Sequence, residues 1–151
     1  TFNLIYALFS GPLGVFSDRI GRYRLIVSGW LFYALLYLGF AVAKDARQVW
    51  VIYAGYGFYY AAVEGTAKAL VADLIPQEQR GTAYGYYNAT VGLMAFPASV
   101  LAGILWQGIG SWVGFGPSAP FVAGSALAFI AVVLLSGWQK RRMTLESANR
   151  Q

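Results

Sequence analysis

Cysteine and histidine are both absent from the 151 residues, and charged side chains make up only 11% of them. Without cysteine there is no disulfide and no thiol nucleophile. Without either residue the usual zinc sites cannot be assembled here, so no metal and no cofactor is expected. The scarcity of charge excludes more. Ordinary globular chains carry about 25% charged residues, and a soluble domain of this length needs them to cover its surface. The net charge of +5 does not point to nucleic acid, because the basic residues are scattered between apolar stretches rather than gathered in a stripe. No phosphate-cradling G-x-x-x-x-G-K-[ST] loop is present.

Hydrophobic residues reach 58%, aromatics 17%, and there are 18 glycines, a composition suited to membrane helices and their aromatic belts. Five apolar stretches are expected to be spans, at about residues 1–17, 25–43, 49–75, 82–106 and 120–138, with a polar tail at 139–151. Backbone groups cannot stay unpaired in lipid, so such runs must be helices or a closed barrel. The alternating segments of about ten residues that a barrel requires are absent. The fold class is therefore all-α, a polytopic transmembrane helix bundle in contact with the lipid bilayer. Pro97 is expected to kink the fourth span. The chain opens at Thr1 already apolar, without the basic start and small-residue cleavage site of a signal peptide, and the first span reads as cut short.

Orientation follows from lysine and arginine. Arg19, Arg22, Arg24, Arg80, Lys140, Arg141 and Arg142 fall at one end of the spans, and only Lys44 and Arg47 at the other. The positive-inside rule puts the first set, and the C-terminus, in the cytoplasm. A bacterial inner (plasma) membrane is the expected location.

The turn after the first span reads Gly14-Val15-Phe16-Ser17-Asp18-Arg19-Ile20-Gly21-Arg22-Tyr23-Arg24. Gly14 allows close helix approach, Gly21 permits the positive φ of a tight turn, and Asp18 suits a helix N-terminus. Arg22 can reach a carboxylate at a neighbouring helix end. By itself this is also what a charged cytoplasmic turn that only sets topology looks like. The segment resembles the G-x-L-a-D-R-x-G-R-[KR] loop of the major facilitator superfamily of secondary transporters: Gly14, Asp18, Arg19, Gly21 and Arg22 match, and Tyr23 stands where a third basic residue is usual. The turn Pro76 to Arg80-Gly81, followed by Gly85, is similar to the superfamily's P-x-x-x-R-G-x-x-x-G start of the eleventh helix. The resemblance covers essentially the whole chain and implies helices eight to twelve, the C-terminal half of a twelve-helix transporter truncated at its N-terminus. It further implies that Arg22 pairs with Asp73 as a cytoplasmic latch, that Asp18 faces the fifth helix in the missing N-terminal half, and that the tenth helix lines the central cavity.

The third span carries Glu64 near its midpoint and Lys68 one turn on. Ionisable residues within a span are costly and by default mark function. At roughly 100° per residue, Tyr53, Tyr56, Tyr60 and Glu64 share one narrow face, Lys68 lies at its edge, and Asp73 points the opposite way. Glu64 is a candidate proton carrier and the tyrosines a candidate surface for a small-molecule substrate. Equally, Glu64 and Lys68 are spaced i, i+4 in the order that favours an intrahelical pair, and the two can simply neutralise each other in a water-filled vestibule.

In the fourth span Gly81, Gly85, Gly92, Ser99 and Gly103 fall on one side, with Asn88 beside them. Small residues let backbones approach closely, either as static packing or as a face that slides during alternating access. The expected function is secondary transport of a small solute, coupled to protons, of the efflux-permease kind. The alternative is a membrane receptor or scaffold of the same fold. An enzyme is not expected, since the polar residues are too sparse to name a catalytic group.

Overall fold

A computed structural model describes residues 2–148. Thr1 and residues 149–151 of the expected tail lie outside them, as do the side chains of Lys140 and of residues 142–148. Five long helices follow one another: α1 Phe2–Ile20, α2 Arg22–Val42, α3 Ala46–Leu74, α4 Arg80–Gln107 and α5 Ala119–Ala148, with a 3₁₀ turn at Gln77–Gln79. Among the described residues there is no strand beyond an isolated bridge between Ile109 and Trp112 in the loop before α5.

Local chemistry sets the helix ends. Gly21 separates α1 from α2 with φ +92, a backbone conformation that side-chain-bearing residues avoid. The α3 start is capped by Asp45, which accepts from the Gln48 N–H at 2.9 Å, while the Gln48 side chain accepts from the Lys44 N–H at 2.8 Å. This is a near relative of the capping box. At the other end Ile75 is extended, as the residue before a proline tends to be, and Pro76 accepts from Gln79 N–H at 3.0 Å to open the 3₁₀ turn. Pro97 sits inside α4, which remains one helix through it, and Pro12 is carried inside α1 in the same way.

By length and apolar composition three helices can cross a membrane: Arg22–Val42, Gln77–Gln107 and Ala119–Gln139. The first and third expected spans do not meet that standard as α1 and α3, and the reason is their polar content rather than their length. With 29 residues, α3 extends for about 44 Å at ~1.5 Å per residue, well beyond a hydrocarbon core of ~30 Å. Apart from Arg47 in the first turn, its charges lie in the second half of that length. The expected end of the fifth span, Trp138, is not the end of the helix, which continues to Ala148.

The densest packing joins α1 to α3, α2 to α3, and α2 to α5. Leu25, Ala62 and Val63 form the buried centre, flanked by Leu13, Ile20, Trp30 and Tyr59. Two glycines permit this closeness. A Cβ at Gly29 would collide with the Val63 side chain, and one at Gly57 would lie 3.1 Å from the Phe2 carbonyl oxygen. Ser125 on α5 donates to the Ala34 carbonyl of α2 at 3.0 Å, so a buried hydroxyl is satisfied across that interface.

Candidate functional site

The aromatic and acidic face of α3 meets α1. The Tyr6 hydroxyl donates to Glu64 Oε2 at 2.8 Å, and Lys68 Nζ donates to Glu64 Oε1 at 3.0 Å. Each carboxylate oxygen thus has its own donor, one from the neighbouring helix and one from the next turn of the same helix. The site is only partly covered: the side chains of Glu64 and Lys68 are 28% and 42% exposed. Toward the N-terminal half of α3 the Phe2 ring lies 5.9 Å from Tyr53, 5.8 Å from Tyr56 and 5.5 Å from Tyr60. Tyr6 lies 5.8 Å from Tyr60, edge to face. Separations of this size are the favourable range for aromatic pairs.

The structure therefore brings Tyr53, Tyr56, Tyr60, Glu64 and Lys68 into one continuous strip. It also adds residues that periodicity on a single helix does not supply. Phe2 and Tyr6 complete the strip from α1. Tyr33 and Tyr37 extend it from α2, their centroids 6.2 and 6.4 Å from that of Tyr56. The signal was present in the sequence, since Phe2/Tyr6 and Tyr33/Tyr37 are each spaced i, i+4 and so share a helix face.

A second cluster occupies the α1–α2 turn. Arg22 Nη1 lies 2.6 Å from Asp73 Oδ2 and donates to the Ala69 carbonyl at 2.6 Å, while Nη2 lies 3.1 Å from Asp18 Oδ1. One guanidinium thus joins the end of α1, the start of α2 and the last turns of α3, using its fork of donors. Asp18 belongs to the last turn of α1 and is at no helix N-terminus among the described residues. Its side chain remains 64% exposed beside Arg22. Arg19 and Arg80 enter no ion pair among the described residues. Arg80 opens α4, its backbone N–H donating to the Gln77 carbonyl.

Two of the glycine features meet no partner among the described residues. A Cβ at Gly14 would meet nothing within 4 Å. The same openness holds at Gly81, Gly85, Gly92 and Gly103, and Ser99 donates only to the Ala95 carbonyl of its own helix. The small-residue face of α4 has no packing partner among the described residues. The glycines that do seat helices are those with large residues opposite them, and spacing within one helix carries no information about what lies across from it.

The sequence profile of the Major Facilitator Superfamily matches residues 1–151. Among curated proteins, the chain is 39% identical over 134 residues to an uncharacterized MFS-type transporter of Methanocaldococcus jannaschii, covering 89% of this chain and 32% of that protein. It is 28% identical over 144 residues to multidrug resistance protein 2 of Bacillus subtilis (94% and 34%). It is 27% identical over 135 residues to the class E tetracycline resistance protein of Escherichia coli (88% and 31%). The chain spans about a third of the length of each of these relatives. No solved structure matches it.

Proposed function

We propose a transport function for this chain, which belongs to the Major Facilitator Superfamily and is an integral membrane protein: it is the C-terminal half, helices eight to twelve, of a secondary transporter that moves a small solute by alternating access and is coupled to protons. In such transporters the halves rock about a site near the bilayer midplane. The names of two relatives, a multidrug and a tetracycline resistance protein, support efflux of amphipathic solutes. The basic residues at the α1–α2 turn, at Arg80 and beyond Trp138 support a cytoplasmic C-terminus in a bacterial inner membrane.

The observation that carries this reading is the position of Glu64. Its carboxylate bridges Tyr6 of α1 and Lys68 of α3 within a strip of aromatic faces. Protonation removes the charge that holds Lys68 and replaces one acceptor oxygen by an O–H donor. The Tyr6 hydroxyl then loses its anionic acceptor, and the link between α1 and α3 at this level weakens. A proton and a solute competing for this strip are thereby coupled through the same contact. At the cytoplasmic end the Arg22–Asp73 pair acts as a latch, made in one state of the cycle and broken in the other.

The test uses the intact protein in liposomes with an imposed pH gradient, screened with amphipathic drugs, sugars and organic acids. Glu64→Gln is expected to abolish uphill accumulation and to spare solute exchange at equal pH. Unchanged uphill transport removes Glu64 from coupling. Solute binding without net flux in the unaltered protein points instead to a receptor of the same fold.

A further inference from the structure

We infer a binding site for an anionic phospholipid in the groove between the C-terminal end of α2 and the first turns of α3. This inference does not depend on the transport reading. Gly39 and Val42 of α2 and Val51 and Ile52 of α3 line an apolar floor, Lys44 and Arg47 stand at the mouth, and the groove encloses about 630 Å³. Gly39 closes the bottom, since even a Cβ there would lie 3.3 Å from Ile52 Cδ1. The two valines are largely open, at 71% and 73% exposure, so the floor needs an apolar occupant.

The mouth needs an anion. Lys44 and Arg47 are exposed and enter no ion pair among the described residues. The carboxylate between them, Asp45, is directed to the α3 cap, where it accepts from the Gln48 N–H at 2.9 Å. The position of these two cations is also informative. The other loop arginines, Arg19, Arg22, Arg24 and Arg80, fall at the opposite end of the helices. This end carries basic residues only at Lys44 and Arg47, and both border the one groove.

Depth selects the ligand. The groove straddles the end of the membrane-crossing helix Arg22–Val42, so its floor lies at acyl-chain level and its mouth at headgroup level. Trp50 is 59% exposed on the next turn, as interfacial tryptophans are. A soluble anion would match the mouth and leave the floor unfilled, and a neutral lipid would leave both cations without a partner. A phospholipid with a net negative headgroup matches both parts.

The intact protein, reconstituted in vesicles of phosphatidylglycerol and phosphatidylcholine in equal parts and then gently extracted, is assayed for retained lipid by native mass spectrometry. The expected result is one phosphatidylglycerol fewer on the Lys44→Ala/Arg47→Ala variant, its retention at this site weakened on the order of tenfold, with phosphatidylcholine unaffected. Equal phosphatidylglycerol on both proteins overturns the proposal. Asp45 and Gln48 are untouched in this variant, so the α3 cap is kept. A second measurement keeps both cations and puts the probe in the groove floor: quenching by brominated lipids of the fluorescence added by Val51→Trp, taken as variant minus wild type. Stronger quenching by brominated phosphatidylglycerol than by brominated phosphatidylcholine is expected, and equal quenching by the two overturns the proposal.

Discussion

The helices α3 and α4 are close in length, at 29 and 28 residues, and opposite in character. The more polar one is inside: α3 buries Gly57, Ala61, Ala62, Val63 and Thr66 and finds partners for Glu64, Lys68 and Asp73. The apolar one is outside: α4 buries no residue and touches α3 and α5 only lightly. In water this arrangement would be inverted. In lipid, polar groups must be satisfied by protein, whereas an apolar helix is at no disadvantage on the surface. The contrast also separates polar groups paired within these five helices from a surface with few partners among the described residues.

The largest expected effect is on the closed side of the comparison. Gly57→Leu pushes α1 off α3, because a Cβ already lies 3.1 Å from the Phe2 carbonyl oxygen and 3.3 Å from Ile5 Cβ. Overpacking of this kind costs about 3 kcal/mol, to be read as a lowered thermal midpoint of the intact protein in detergent. A midpoint unchanged from wild type would mean that α1 and α3 are not seated as described.

Next comes the Arg22–Asp73 pair. Arg22→Asp or Asp73→Arg alone should lower transport by roughly tenfold, equivalent to about 1.4 kcal/mol. The double reversal should restore part of it. Full rescue is not expected, because Arg22 also donates to Ala69 and pairs with Asp18, and an aspartate at position 22 would face Asp18 as a like charge. No rescue at all would argue against a working pair.

Tyr6→Phe is a smaller change. It deletes one hydrogen bond to a partly exposed carboxylate, worth about 1 kcal/mol, and leaves the ring contact with Tyr60 in place. Calorimetric unfolding of the intact protein checks the size of the loss, and a combined Tyr6→Phe/Glu64→Gln variant should show that the two effects are not additive.

The smallest change sharpens the open side. At Gly92 a Cβ meets nothing within 4 Å, so on a lipid-facing helix Gly92→Ala should stabilise by about 0.5–1 kcal/mol through helix propensity. If the rest of the transporter packs on this face, the same substitution should instead slow turnover or destabilise slightly. The second outcome is expected, and the sign of the thermal shift distinguishes them.

Much of this arrangement was legible in the sequence, for identifiable reasons. Lipid favours long, largely apolar runs, so five helices could be counted even with the charges inside the third, and Gly21, Asp45 and Pro76 mark their limits through local backbone chemistry. The angular arithmetic on α3 grouped Glu64 with its tyrosines and set Asp73 apart, and the two groups do meet different neighbours, α1 and the start of α2. The identity of those neighbours was not legible from one helix: Phe2 and Tyr6 enter the strip because of how α1 docks. The helix α5 runs past the expected span end at Trp138 because an apolar run marks where lipid ends, not where helical hydrogen bonding ends. Lys, Arg, Met, Leu and Glu beyond Trp138 are good helix formers and carry α5 to Ala148.

The strip on α3 is expected to face a solute path, and the Leu134 face of α5 to face hydrocarbon. The absence of cysteine from these residues makes single-cysteine labelling direct. In the intact protein, with any other cysteine replaced, Tyr60→Cys should react with a membrane-impermeant thiol reagent and be protected by transported solute. Leu134→Cys on α5, 68% exposed here, should stay unreactive in the bilayer. Labelling at Leu134 with none at Tyr60 would contradict the account.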